Sequence, residues 1–259
     1  MSLIKTDEEI EKLKRGGSIL SDILREIRSS CVAGANTEDL DALARKRMKK
    51  AGGTPSFLNY KINEKDTGFP GAVCISINQE VVHGLPIPGR IIKGGDIVGL
   101  DIGMWHEGLC TDMATTVIVG EVSQEVSDLV SRTRTALVKG ISSIHSGGAV
   151  GDVGATIEKY LKPFGYGIVR DLVGHGVGHS VHEDPQVPNH KDKQALKIPL
   201  KKGMVLAVEP MVTLGGYEVV LDDDMWTIST ADQSLAAHFE VTVAVTEAGC
   251  DLITPWPDA

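Results

Sequence analysis

Four carboxylates stand where apolar side chains are expected. Asp101 sits in IVGLDIG, Asp112 opens TDMATTVIV, Glu209 ends MVLAVEP, and Glu240 lies in HFEVTVAV. These runs have strand composition, and Asp is depleted in strands. An ionised carboxylate among apolar neighbours is costly unless it is paired, or it takes up a proton. If the runs at 97–103 and 112–119 form a hairpin centred between His106 and Glu107, Asp101 falls directly opposite Asp112. Like charges facing across strands repel. A divalent cation between them reverses that sign.

Histidines accompany the acids. GHGVGHSVHEDPQVP carries His175, His179 and His182. HExxH is absent, and Gly174, Gly176 and Gly178 disfavour a helix. Strand alternation puts His175 and His179 on one face and His182 on the other, unless the glycines permit a bulge. His106, His145, His190 and His238 read as isolated structural histidines. One histidine with four carboxylates is an oxygen-rich donor set suited to Mn²⁺, Fe²⁺, Co²⁺ or Zn²⁺. Five such residues, two of them bridging, can hold two ions about 3.5–4 Å apart, an arrangement that supports hydrolysis.

The elements that must position these groups can be read from local signals. Thr6 and Glu9 form a capping box, and Ile10, Leu13, Leu20, Ile23, Leu24 and Ile27 follow at helical spacing, so 7–30 reads as a long amphipathic helix. Thr37 is expected to cap a second helix that ends at Gly52-Gly53. Segments 74–77, 97–102 and 115–119 are strand-like. A third helix is expected over 123–146, and a fourth from Asp152 to Leu161, stopped by Pro163. Strands are expected around 168–183, 204–213, 216–229 and 236–247. Helices lead and strands dominate later, which is an α+β pattern. Two helix pairs, each followed by strands, hint at a duplicated layout. The polar stretch Tyr60 to Gly71 reads as a flexible loop.

The bulk properties narrow the class. A chain of 259 residues suits one large domain whose core needs no disulfide. The net charge of −9 argues against a standalone nucleic-acid binder. The basic stretch from Lys191 to Lys202 reads as a solvated loop, with transient contact to the ribosome as the rarer use of such a run. Cys31, Cys74, Cys110 and Cys250 form no CxxC pair and read as free thiols in a reducing compartment. The first residues, MSLIKTDEEIEKLK, lack an apolar core for a secretory signal, and no stretch approaches a membrane span. The expectation is a cytoplasmic protein with no membrane role.

Five blocks carry a resemblance that spans nearly the whole chain: SINQEVVHGLP, GDIVGLDIG with TDMATT, GHGVGHSVHEDP, MVLAVEPMV, and WTISTADQSLAAHFEVTVAVTEAG. Their content, order and spacing resemble the methionine aminopeptidases of the pita-bread fold, of type I. Type I is indicated because no large insertion separates Glu209 from Glu240 and no Cys/His zinc extension precedes the first helix. The resemblance implies a pseudo-twofold α/β sandwich with the metal site on central strands, in one catalytic domain spanning 1–259 whose halves meet near 120–150. It implies a monomer that removes the initiator methionine from nascent chains with a small second residue. The related X-Pro aminopeptidases are the alternative, as is a non-catalytic binding protein of the same fold.

The implied roles can be assigned residue by residue. Asp101 chelates one metal, Asp112 and Glu240 bridge two, and His175 and Glu209 complete the other shell. Glu209 also moves the proton, His83 and His182 act on substrate, and Tyr60, Phe69, Cys74 and Trp226 form the methionine pocket. Three features depart from the family pattern. Residues 61–67 look like an insertion, Val181 replaces a frequent aromatic, and His179 stands where Arg or a small residue is usual. All three bear on the shape of the pocket.

Overall fold

The computed structural model describes residues 3–61 and 67–257, so most of the 61–67 segment lies outside the described residues. Helix α1, Asp7–Ser30, starts at the expected capping box: Thr6 Oγ1 accepts from the Glu9 amide, and the Glu9 carboxylate accepts from the Thr6 amide. Helix α2, Thr37–Lys50, is capped by Asn36 rather than Thr37. The Asn36 side-chain oxygen reaches the Glu38 amide, while the Thr37 hydroxyl donates to the Ile87 carbonyl. Helix α3, Gln124–Ile141, is capped by Ser123 and stops short of 146. The hydroxyls of Ser142 and Ser143 bond back to Lys139 and Gly140 carbonyls, closing its last turn. Helix α4, Gly151–Leu161, runs into a 3₁₀ turn, Lys162–Phe164, that contains Pro163.

The main sheet is antiparallel. Its strands run in the order Thr54–Pro55, Ile97–His106, Leu109–Ile118, Glu240–Val245, Val205–Val208, Gly174–Gly176 and Glu183–Val187. Val73–Ile77 also pairs with Ile97–His106, and Cys250–Leu252 with Glu240–Val245. On the first half, α1 and α2 bury Leu20, Leu24, Ile27 and Met48 against Ile75, Leu100 and Ile102. On the second, α3 and α4 bury Leu129, Leu137 and Ile157 against Leu206, Val208 and Val243. Each helix pair thus covers its own half of the sheet. The halves join where Leu109–Ile118 pairs with Glu240–Val245.

The register of the first hairpin differs from the expected one. His106 pairs with Leu109, so Glu107 and Gly108 form a two-residue turn with φ of 50° and 80°. Such turns match the strand twist and require a left-handed backbone at both positions. Asp101 therefore faces Ala114, and Asp112 faces Gly103. The shift is two residues, which leaves both acids on one face as diagonal neighbours.

The later strands are shorter than expected. Of 168–183, only Ile168, Gly174–Gly176 and Glu183, which opens the strand Glu183–Val187, are strand. The chain bends away over 178–182 before rejoining the sheet. A side chain at Gly176 would put its Cβ 2.2 Å from the Asp184 carbonyl oxygen, so this close return of the chain requires glycine. Among the described residues, no helix is long and apolar enough to cross a membrane.

Candidate metal centre

Two neighbouring rungs of the sheet carry the acids. Cys74 faces Asp101, Asp101 faces Ala114, and Ala114 faces Glu240. On the next rung, Gly103 faces Asp112, and the Asp112 amide and carbonyl both bond the Thr242 hydroxyl. Thr242 faces Ala207, which faces His175. Glu209 follows directly on Val208, the partner of Val241. Alternation along each strand puts all five donors on one face. Ala114 and Ala207, small residues interleaved among them, leave room for their side chains, while Gly103 makes way for Ser56 and Phe57.

This face forms the floor of a cavity of about 250 Å³. The sequence-derived site residues all line it: Asp101, Asp112, His175, Glu209 and Glu240 on the floor, with His83, His182, Tyr60, Phe69, Cys74 and Trp226 around it. Ligand atoms of Asp112, His175 and Glu240 lie within 4.8 Å of one another, as do those of Glu209, His238 and Glu240. Asp101 Oδ1, Asp112 Oδ1, Glu240 Oε1 and His238 Nε2 are buried without a hydrogen-bond partner. Buried polar atoms are normally satisfied. Orphaned oxygens of three acids on one cavity floor, with an orphaned nitrogen beside Glu209, suit a ligand other than a protein hydrogen-bond partner.

The electrostatics agree. Burial pushes all four carboxyls above the usual carboxylate range, and the neighbouring acids push Asp112, Glu209 and Glu240 up further. Two ionised carboxylates about 4 Å apart repel by roughly 4 kcal/mol at an effective dielectric near 20. Several such pairs cannot all ionise without cations among them. His175 makes the same point through its tautomer. Its Nδ1 lies 2.8 Å from the Gly176 carbonyl, which can only accept, so the ring proton sits there. Burial, with the nearby His182, lowers its pKa to about 4, which keeps the ring neutral. Nε2 is then a bare lone pair, and it faces Glu209 Oε1 at 3.5 Å. Two acceptors at that separation suit two donors on one ion, with metal–ligand distances of about 2.0–2.2 Å. The donor set therefore fits hard or borderline divalent ions.

The walls are apolar. Phe69 and Trp226 meet edge to face with centroids 5.4 Å apart. Trp226 is held by Asp224, whose carboxylate accepts from the amides of Trp226 and Thr227. Burial, and then the Asp101 charge, push the Cys74 thiol well up, so it stays protonated. His83 takes a left-handed backbone, φ 60°, immediately after the strand Glu80–Val82, and lines the cavity. Such a conformation is uncommon outside glycine. The Tyr60 hydroxyl lies 2.7 Å from His182 Nδ1.

Several expectations about sidedness need correction. His182, not His179, joins His175: their rings meet at 4.4 Å, edge to face. His179 instead bonds Glu9 on α1, and its amide donates to Glu183. Val181 packs with Leu13, Leu109 and Val177 and does not line the cavity. The bends after Gly176 break the alternation that sequence spacing assumed. Phe57, Val82, Leu172, Val173 and Met211, which sequence spacing does not single out, also stand in the walls. His238 is not isolated: it stands two places before Glu240, and its Nε2 is 3.7 Å from Glu209 Oε2.

Comparison with known proteins places this geometry. Residues 11–247 match Metallopeptidase family M24. The chain is 41% identical over 254 residues to the methionine aminopeptidase of Clostridium acetobutylicum, covering 98% of this chain and 99% of that one. It is 38% identical to methionine aminopeptidase 1 of Bacillus subtilis, with the same coverage of each chain. The crystal structure of methionine aminopeptidase from Thermotoga maritima superposes with a TM-score of 0.91 at 43% identity, covering 97% of this chain and 98% of that one. The X-Pro aminopeptidase of Thermotoga maritima shares the fold at a TM-score of 0.74 and 22% identity, and this chain spans 62% of it.

Proposed function

The chain belongs to metallopeptidase family M24, and from that premise we propose that it removes the N-terminal methionine from peptides and new proteins, with two divalent ions held by Asp101, Asp112, His175, Glu209 and Glu240. Full-length likeness to methionine aminopeptidases favours this over the X-Pro reading. One observation carries the metal assignment: orphaned carboxylate oxygens converge, buried, on the floor of an apolar cavity.

Bound there, divalent ions supply Lewis acidity, which brings the pKa of water from about 16 toward about 7 and polarises a carbonyl. The chain's own groups do the rest. Glu209 accepts the proton of the attacking water and passes it to the leaving amine. Desolvation against the cavity wall pushes the His182 pKa down, although the side chain stays exposed at the mouth. The Tyr60 hydroxyl lies 2.7 Å from His182 Nδ1; assigned as the donor, it puts the ring proton on Nε2. That N–H donates to the carbonyl oxygen as charge develops on it. His83, held on the cavity wall by its left-handed backbone, bonds the scissile amide.

Phe69, Trp226, Cys74 and Tyr60 receive the methionine side chain, whose sulfur packs favourably on aromatic edges. The small volume of the cavity restricts the second residue to small side chains. The test is turnover of Met-Ala-Ser by chelated protein with each divalent ion added back, beside Met-Leu-Ser. Metal-dependent cleavage of the first and slow cleavage of the second support the proposal. Metal-independent cleavage, or equal rates on the two peptides, contradicts it.

A further inference from the structure

His238 has no role in the proposed chemistry, yet it is built into the centre. The strand Ala236–His238 pairs with Met211–Thr213 so that His238 faces Met211, two residues past Glu209. Its backbone, in a separate three-stranded sheet, is fixed from the main sheet: Thr116 Oγ1 accepts from the His238 amide at 2.9 Å and donates to its carbonyl at 2.7 Å. The side chain is buried, and Nε2 has no partner. That atom lies 3.7 Å from Glu209 Oε2, while His175 Nε2 lies 3.5 Å from Oε1. Glu209 is therefore bracketed by two imidazoles, one at each oxygen.

The two rings are not equivalent. The His175 ring proton is held by the Gly176 carbonyl, so Nε2 offers a lone pair. A lone pair on His238 Nε2 would make it a further metal donor, since His238 offers a ligand atom within 4.8 Å of those of Glu209 and Glu240. An N–H there instead gives the ionised Glu209 a hydrogen-bond donor at its second oxygen. It needs a movement of about 0.7 Å to reach ordinary hydrogen-bond length.

We propose that His238 is a positioning residue: its Nε2–H donates to Glu209 Oε2, fixing the carboxylate so that Oε1 faces the ion beside His175. This rests on the reading of Glu209 as a metal ligand. Partners that orient a ligand in this way typically change metal affinity by 10–100-fold when removed.

Two measurements test it. Long-range proton–nitrogen NMR of zinc-loaded protein reports the state of each imidazole nitrogen. The expected result is a protonated Nε2 on His238 and a zinc-bound Nε2 on His175. A bare or zinc-bound Nε2 on His238 overturns the proposal. Calorimetric titration of chelated protein with manganese then compares the native chain with His238→Gln, which keeps an N–H donor, and with His238→Ala and His238→Met, which do not. The expected loss is about 10–100-fold in affinity for Ala and Met, with Gln close to native. Native-like affinity in either donorless variant overturns the positioning role, as does a loss in Gln equal to theirs. If the native chain binds no manganese or zinc, the ligand assignment of Glu209 fails first, and this inference falls with it.

Discussion

His175 Nε2 and Glu209 Oε1 face each other at 3.5 Å across the candidate centre, with the His175 ring proton committed to the Gly176 carbonyl. An ionised Glu209 and a bare imidazole nitrogen repel at that distance unless a cation lies between them. The donors come from strands more than a hundred residues apart in places, so the fold itself must assemble the repulsive cluster.

Removing one charge should separate binding from stability. Asp112→Asn keeps the shape but lowers the ligand charge on a carboxyl that burial and the Asp101 charge already push well up. Bound metal and turnover of Met-Ala-Ser are expected to fall by about 100-fold or more, since the nucleophile depends on the ions. The chelated variant is expected to melt higher than the chelated native chain, because one buried repulsion is gone. Metal content by elemental analysis and melting curves check both. Full activity at normal metal content contradicts the bridging role.

The same charges set a pH dependence. Burial pushes the Asp101 carboxyl up to about 7, and Asp112, Glu209 and Glu240 are also raised by burial and by one another. A carboxyl with a raised folded pKa stabilises most below its unfolded value, and that contribution is lost as pH rises through the folded value. Buried neutral His83, His175 and His238, lowered to about 4, 4 and 3, act oppositely, but only below the ordinary histidine pKa of about 6.5. The clean window therefore lies above about pH 6.5. Chelated protein is expected to lose melting temperature as pH rises from there through about 7, the value for Asp101, and saturating manganese to abolish the slope. A melting temperature that rises with pH in the chelated protein contradicts the account.

Tyr60→Phe removes the hydroxyl 2.7 Å from His182 Nδ1 and keeps the ring. Without it, the His182 tautomer is no longer fixed. Turnover is expected to drop about tenfold, near the ~1–1.5 kcal/mol net worth of one hydrogen bond. Metal content and KM stay close to native. Steady-state kinetics with metal analysis read this, and a loss of metal would show that Tyr60 acts elsewhere.

Buried Lys5 and half-buried Glu183 form an ion pair that ties the N-terminal arm to the His182 loop. Glu183 also accepts from the amides of His179 and Ser180. Lys5→Met leaves that carboxylate without its cation, at a cost of about 1.5–3 kcal/mol, the range for a charged hydrogen bond. Urea unfolding should show the loss, and turnover should fall as the loop carrying His182 loosens. A change in stability below about 1 kcal/mol contradicts the structural role given to the arm.

Much of this was legible in the sequence because its signals are local. The α1 capping box lies within four residues, and helical periodicity gave the apolar face that buries Leu13, Leu20 and Leu24. The register of the first hairpin was not legible, because it turns on whether Glu107 adopts a left-handed backbone beside Gly108. The error of two residues preserved facing, so Asp101 and Asp112 still meet. Strand alternation separates His182 from His175 unless the glycines permit a bulge, and the bends over 178–182 are that exception; the place of His182 at the substrate comes from the resemblance. His238 was missed because Glu209, its neighbour, is brought to it by strand pairing across 29 residues. Its i, i+2 relation to Glu240 was the signal available.

The central claim is that cations make these buried acids tolerable, and a crystal grown with saturating manganese tests it directly by anomalous scattering. The account predicts two anomalous peaks among Asp101, Asp112, His175, Glu209 and Glu240, about 3.5–4 Å apart. Well-ordered density with no anomalous signal there, and those five side chains turned away from one another, would contradict it.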